Sequence, residues 1–285
     1  MALATERVGT SYPARTVVAD GPRALAFAAA TNDDNLHYRS GACLPPLFAV
    51  VPAWACLTEA LAHVLPAGAA AMIVHSEHDL RLSEPLVAGQ RITTRAEAFN
   101  LRPGRSGTRC TIRLVSEDPA TSGPLVEQYV TMFVRSMTGG DPAGPDVPDH
   151  GFPPSARERL VGSHAVAVDL DQTERYAAVS GDDNPIHLDD VAARQVGLAG
   201  RIVHGLCSMA MAGSSVIALT AGGDPARLRR LALRFSDVVR PGDELLTSVY
   251  AMAPDRATGD RCSYAFESSC SGRLVLSHGR AEVRS

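Results

Sequence analysis

Two stretches of the chain are apolar almost all the way round a helical repeat: V-P-A-W-A-C-L-T-E-A-L-A-H-V-L at 51–65 and H-G-L-C-S-M-A-M-A-G-S-S-V-I-A-L at 204–219. A helix without a broad polar face is buried on most sides. After each stretch come runs rich in β-branched and aromatic residues, bounded by Gly, Pro and Asp. The first half has T-R-C-T-I-R-L-V-S and L-V-E-Q-Y-V-T-M-F-V-R; the second has R-C-S-Y-A-F-E-S-S-C and R-L-V-L-S-H-G-R-A-E-V-R. Such runs predict antiparallel strands. One buried helix wrapped by consecutive antiparallel strands, formed twice, is an α+β layout. The lone tryptophan, Trp54, lies on the first helix and is expected in the core. His75 and His78, in H-S-E-H, are expected at the surface where a strand begins.

The halves also match position by position. L-R-L-S-E-P-L-V-A-G-Q-R-I (80–92) and L-R-F-S-D-V-V-R-P-G-D-E-L (233–245) set Leu80, Arg81, Ser83 and Gly89 against Leu233, Arg234, Ser236 and Gly242, at a constant offset of 153 residues. Nearer the start, T-N-D-D-N-L-H (31–37) echoes S-G-D-D-N-P-I-H (180–187) at an offset of 149 to 150. A repeat of this length is a duplicated domain rather than a solenoid unit. Between the halves, T-G-G-D-P-A-G-P-D-V-P-D-H-G-F-P-P lacks apolar periodicity and reads as a linker. The expected organisation is a first domain over 1–137, a linker over 138–154 and a second domain over 155–285.

Composition narrows the function. The 285 residues are 45% hydrophobic and 20% charged, with a net charge of −4 and no Lys/Arg block. Neither nucleic acid nor an anionic membrane is an expected partner. The opening residues lack a basic region followed by a long apolar one, so no signal peptide is expected, and no apolar run is expected to span a bilayer. The expected location is the cytoplasm. Six cysteines (Cys43, Cys56, Cys110, Cys207, Cys262 and Cys270) are scattered without a C-x-x-C pair, which predicts neither a disulfide scaffold nor a metal site.

The chemistry is expected in S-G-D-D-N-P-I-H. Pro185 pushes the residue before it out of the α region, so Asn184 caps a short helix that runs to Gly197. A plain cap and turn would use the same residues. On an unbroken helix, Asp182 and His187 would point to different sides. The break at Asn184–Pro185 lets them converge, and a carboxylate beside an imidazole can deprotonate a water and return a proton. Gly205 follows in I-V-H-G-L, at the start of the second buried helix. Its amide has no partner inside the helix and sits at the positive end. That is an oxyanion site, although close helix–strand packing would also select glycine.

Residues 176–205, Y-A-A-V-S-G-D-D-N-P-I-H-L-D-D-V-A-A-R-Q-V-G-L-A-G-R-I-V-H-G, closely resemble the signature of the MaoC-like (R)-specific enoyl-CoA hydratases, or hydratase 2. The resemblance implies a double hot-dog fold, each half a long helix wrapped by an antiparallel sheet. It places Asp182 and His187 on the catalytic positions and Gly205 on the backbone oxyanion donor. Asn184, Ser180, Tyr176 and His204 are candidates to support the site or line its pocket. The implied reaction is reversible hydration of a trans-2-enoyl thioester to the (R)-3-hydroxyacyl thioester. No metal or redox cofactor is expected, because the substrate brings coenzyme A or an acyl-carrier protein. Two alternatives are a dehydratase of carrier-bound polyketide-like chains and a non-catalytic acyl-thioester-binding protein. Monomer and homodimer are both compatible with a double hot-dog.

The first half differs at the decisive places. At the 153-residue offset, Pro52 stands opposite Gly205 and Val51 opposite His204. Proline has no N–H to offer an oxyanion. Asp33 and His37, without the proline break, are four apart and expected to stack on one helix face. The first half is therefore expected to be a decayed copy that shapes the acyl pocket, with a weak second centre at Asp33 and His37 as the alternative.

Overall fold

In R-I-T-T-R-A-E-A the alternation of small apolar and polar residues gives a strand with one buried face: Ile92, Thr94, Ala96 and Ala98 point inward between more exposed neighbours. The computed structural model describes residues 5–66, 73–121, 123–253 and 260–285, among which ten strands form. The first half contains β1 (Arg15–Val18), α1 (Gly21–Ala30), α2 (Val50–Val64), β2 (Ile73–Leu82), β3 (Arg91–Pro103), β4 (Gly107–Glu117) and β5 (Pro124–Arg135). The second contains β6 (Leu160–Ala167), α3 (Gln172–Ser180), α4 (Asp190–Gln195), α5 (Gly205–Thr220), β7 (Leu228–Phe235), β8 (Glu244–Ala251), β9 (Arg261–Cys270) and β10 (Arg273–Arg284).

The strands form one antiparallel sheet in the order β1-β3-β4-β5-β2-β7-β10-β9-β8-β6. The second five repeat the first five in mirror order, with β7 in the role of β2. At the seam Asp79 lies opposite Ala232, its own counterpart at the 153-residue offset, so the pseudo-twofold axis passes between these two residues. This is the expected double hot-dog. Helix α4 occupies the interval over which the offset grows from 149 to 153.

Each long helix is packed on the strands of its own half. Ala53, Cys56, Leu57, Ala60 and Val64 form a stripe at helical spacing on α2, which lies on β3 and β4. Helix α5 is buried on nearly every side, and a Cβ on Gly213 would come within 3.0 Å of the Leu231 side chain. One apolar cluster runs through both halves, a second stays within the first, and half-buried Trp54 packs against both. A 3-10 turn at Pro46–Ala49 runs straight into α2. The resulting 19-residue apolar helix, Pro46–Val64, is long enough to cross a bilayer, contrary to the expectation from sequence. Half of it is buried within the protein, as suits a core helix. Among the cysteines, only Cys262 is exposed.

His75 and His78 are not surface residues. A bulge between His75 and Glu77 shifts the alternation of β2, and the two rings approach to 5.4 Å. His78 is buried, and His75 packs on Phe235 of β7 with ring centres 4.7 Å apart.

The seam carries a buried charge network. Arg230 donates to both carboxylate oxygens of Asp79, at 2.9 and 2.7 Å, and to Glu282 at 3.3 Å. It also donates to the Asp149 carbonyl at 2.8 Å, and His150 bonds the His278 carbonyl at 2.8 Å, so the segment joining the halves is fastened across the seam. The side chains of Arg230 and Asp79 are only 7% and 4% exposed, so removing one partner strands the other charge in a dry site. Arg230→Met is expected to lower unfolding stability by about 3 kcal/mol, the low end for a buried pair because Arg81 still reaches Asp79. Adding Asp79→Leu should recover most of that loss in urea titrations. A single variant as stable as the parent would show that the pair does not hold the seam.

Candidate active site

Helix α3 ends at Ser180, and Gly181 takes the left-handed conformation (φ 85°) that turns the chain out of the helix. The Asn184 side chain then accepts the Ile186 amide at 3.3 Å, and Pro185–His187 form a single 3-10 turn. The expected continuous helix to Gly197 is replaced by two pieces. The Asp189 carboxylate accepts the amides of Val191 (2.6 Å) and Ala192 (3.1 Å) and starts α4 afresh. This interruption swings His187 inward, where it is buried, while Asp182 remains half-buried.

Asp182, His187 and His204 meet here, with one donor atom from each within 4.8 Å of the others. His187 Nδ1 lies 2.8 Å from the Ile202 carbonyl. A carbonyl only accepts, so Nδ1 carries the proton and the neutral ring keeps a bare lone pair on Nε2. By the same argument His204 donates from Nε2 to the Asp182 carbonyl at 3.0 Å, leaving Nδ1 bare. The His187 and His204 rings are stacked at 3.9 Å with planes 27° apart. A neutral imidazole with a bare ring nitrogen beside a half-buried carboxylate is the pairing that general acid–base chemistry uses. The geometry suits proton transfer.

Electrostatics agree. Burial raises the Asp182 carboxyl above its ordinary value, partly offset by His187 and by the Asn184 amide, which donates to Asp182 Oδ1 at 3.3 Å. Burial lowers His187, partly offset by its bond to Ile202 and by Asp182. The two values move toward one another, as required of a pair that exchanges protons near neutrality.

Gly205 begins α5 directly after His204, so its amide has no carbonyl one turn back within the helix. A Cβ there would sit 3.1 Å from the Phe235 ring. The glycine thus serves both close packing and an approachable amide.

Comparison with known proteins places this arrangement. Residues 153–260 match the family model described as MaoC like domain, and residues 27–136 match MFE-2 hydratase 2 N-terminal domain. The chain is 30% identical to 3-hydroxyacyl-thioester dehydratase Y of Mycobacterium tuberculosis, over 74% of this chain and 73% of that protein. It belongs to the MaoC-like dehydratase family. It is also 24% identical to a probable enoyl-CoA hydratase 2 of Dictyostelium discoideum, over 74% of this chain and 70% of that protein. The solved structure of a MaoC-like dehydratase from Phytophthora capsici superposes with a TM-score of 0.82 at 22% identity, covering 98% of both chains. A Mycobacterium tuberculosis protein described as a double hot-dog superposes with a TM-score of 0.60 at 15% identity, over 97% of this chain and 96% of that one.

Around the MaoC-like centre, Ser180 is buried and its hydroxyl accepts the Asp182 amide at 3.1 Å. Tyr176 is a packed aromatic, 4.8 Å from His204 and 5.6 Å from Phe27 of the first half. Two first-half side chains come close here, Trp54, expected in the core, and Arg23, which the sequence reading missed: an added Cβ on Gly181 would lie 3.8 Å from both. Arg23 also donates to the Val179 carbonyl at 2.7 Å. Nothing in the local pattern around either residue signals this, since the approach depends on how the halves pack.

The first half is not the expected echo. Asp33 and His37 do not stack: His37 is exposed, and its Nδ1 lies 4.0 Å from Asp224. Asn35 caps the 3-10 turn Leu36–Ser40 just as Asn184 caps its own. Counting three residues from each cap sets Tyr38, not His37, opposite His187. Buried Tyr38 donates its hydroxyl to Asp33 at 2.8 Å. Burial raises both groups, so the tyrosine stays protonated and offers no base. Pro52 lies inside α2, and the Pro46–Ala49 turn ahead of it covers the end where bare amides would stand.

Because the Asp182 charge raises the His187 value, Asp182→Asn removes a stabiliser of the imidazolium. The His187 ring, followed by NMR in isotopically labelled protein, is expected to titrate at lower pH in this variant. An unchanged or higher midpoint would mean that the two side chains are not electrostatically paired.

Proposed function

We propose that this MaoC-like protein catalyses the reversible hydration of trans-2-enoyl thioesters to (R)-3-hydroxyacyl thioesters. The observation that carries the reading is the convergence of Asp182 and His187 beside the first amide of α5. The thioester oxygen accepts from the Gly205 N–H at the positive end of the helix. Water held by the pair adds its oxygen to C3, and the electrons of the C2–C3 double bond move onto the thioester oxygen as an enolate-like charge. That charge is what the amide stabilises. The pair takes a proton from the water and returns one at C2, so the net change is one water added. His187 Nε2 is the ring atom available for this exchange, while Asp182 balances the imidazolium.

Every step is served by protein side chains, one amide and the substrate, so no metal or redox cofactor is required. The thioester is carried by coenzyme A or by an acyl-carrier protein, which present the same kind of pantetheine arm. Matches to fatty acid synthase β subunits, such as that of Aspergillus oryzae at 34% identity over 41% of this chain, keep the carrier-protein form in view.

The test follows enoyl absorbance with crotonyl-CoA, a longer enoyl-CoA and a carrier-bound enoyl chain. Hydration by the parent, with losses of roughly 10²–10⁴ in Asp182→Asn and His187→Gln, is expected. Release of free thiol would assign a thioesterase instead. Binding without turnover of any substrate would leave a carrier of acyl thioesters.

A further inference from the structure

His204 is almost fully buried, at 1% exposure, and its ring has a bare Nδ1 with no hydrogen-bond partner. An orphaned buried acceptor is a cost that packing alone would avoid. The first half supplies an internal control, since the matching position there is Val51, buried in a half that folds around the same kind of helix. A plain apolar residue therefore satisfies the fold. The half that retains the acid–base pair is the half with histidine.

Three contacts of His204 reach the three groups of the centre. Its Nε2–H holds the Asp182 carbonyl at 3.0 Å. Its ring stacks on His187 at 3.9 Å. Its own backbone, in extended conformation (ψ 134°) as the cap of α5, leads directly into the Gly205 amide. Tyr176 lies against the ring at 4.8 Å and backs it.

We infer that His204 is a positioning residue that sets the Asp182 segment, the His187 ring and the Gly205 amide relative to one another through one N–H and one ring face. It does so as a neutral imidazole: burial, reinforced by neighbouring His187, pushes its value down to about 3. A permanently uncharged ring stacked on His187 keeps water from one face of that ring without competing for its proton. Asp182 is the charged group that acts on His187, and His187 acts in turn on His204; Tyr176 of α3 lies against the His204 ring, with Cys207 of α5 acting on Tyr176 and Asp183 on Asp182. Burial raises Tyr176 well above its ordinary value and Cys207 to about 12, so both stay neutral, and Asp182 is the partner that exchanges charge with His187.

Three variants separate the N–H from the ring. His204→Val copies the first half, His204→Phe keeps a ring without the donor, and His204→Gln keeps an amide N–H at the same reach without the ring. With enoyl thioester as substrate, a readout that rests on the proposed hydration, His204→Val is expected to lose roughly 10–100-fold in kcat while KM changes little. His204→Gln should recover part of that loss through the restored bond to the Asp182 carbonyl, and His204→Phe should not. Independently of any substrate, the NMR titration of His187 should move up toward its ordinary value of about 6.5 in His204→Gln, which lets water reach the ring, and stay in place in His204→Phe. A kcat within about twofold of the parent in His204→Val, or losses that only track the folded fraction by circular dichroism, would overturn the role. So would identical His187 titrations in the Gln and Phe variants. A parent without hydratase activity would fail the functional reading alone, because the His187 titration still tests the positioning.

Discussion

Five residue pairs, from Glu77–Arg234 to Arg81–Arg230, join β2 to β7, and this short ladder turns two five-stranded sheets into one. Without it each half would present an unpaired strand edge and the shared apolar cluster would open to water. The ladder also places a buried ion pair, Arg230–Asp79, on the axis that relates the halves. Such a pair adds little net stability compared with apolar residues of the same size, but it penalises any register that separates the two charges. The position of the first half over the Gly181–His187 loop follows from that register. Phe27, Arg23 and Trp54 reach α3 and Gly181 only because β2 and β7 are fixed side by side.

Within the second half, each hydrogen bond that fixes the Asp182–His187–His204 cluster has a main-chain group on one side. His187 is aimed by the Ile202 carbonyl, His204 holds the Asp182 carbonyl, and Asp182 receives the Asn184 amide. Main-chain groups in a tight turn have little freedom to rearrange, so the Asp182 and His187 side chains are held in one arrangement. The price is a stretch of chain that is neither helix nor strand, tied at Gly181 by a positive φ and restarted at Asp189 by a carboxylate cap.

The duplicated half has changed in a coordinated way. Tyr38 fills the place of the histidine and takes Asp33 as a hydrogen-bond partner. Pro52 stands at the 153-residue offset from Gly205, and the helix has been extended backward by the Pro46–Ala49 turn. Each change departs from the second half's arrangement while keeping a buried interior. The outcome is a first half in which a buried tyrosine–aspartate pair stands where the second half has Asp182 and His187.

Sequence alone determined the elements that depend on local patterning. Residue patterning located both buried helices and strands β4, β5, β9 and β10, because side chains that must leave water recur at the period of the backbone that carries them, while the longest strand, β3, was not located. The string S-G-D-D-N-P-I-H located the turn, the cap and the convergence of Asp182 with His187, since proline and asparagine act on their immediate neighbours. Tertiary structure decided what depends on distant approach or on a one-residue shift. A bulge in β2 turned His75 and His78 inward, an aspartate cap split the expected helix, and the counting from Asn35 exchanged His37 for Tyr38. The stacking of His204 on His187 joins residues 17 apart in the chain, and the Arg23 and Trp54 contacts join opposite halves. No local pattern encodes those distances; they exist only once β2 and β7 have paired and the two cores have closed on one another.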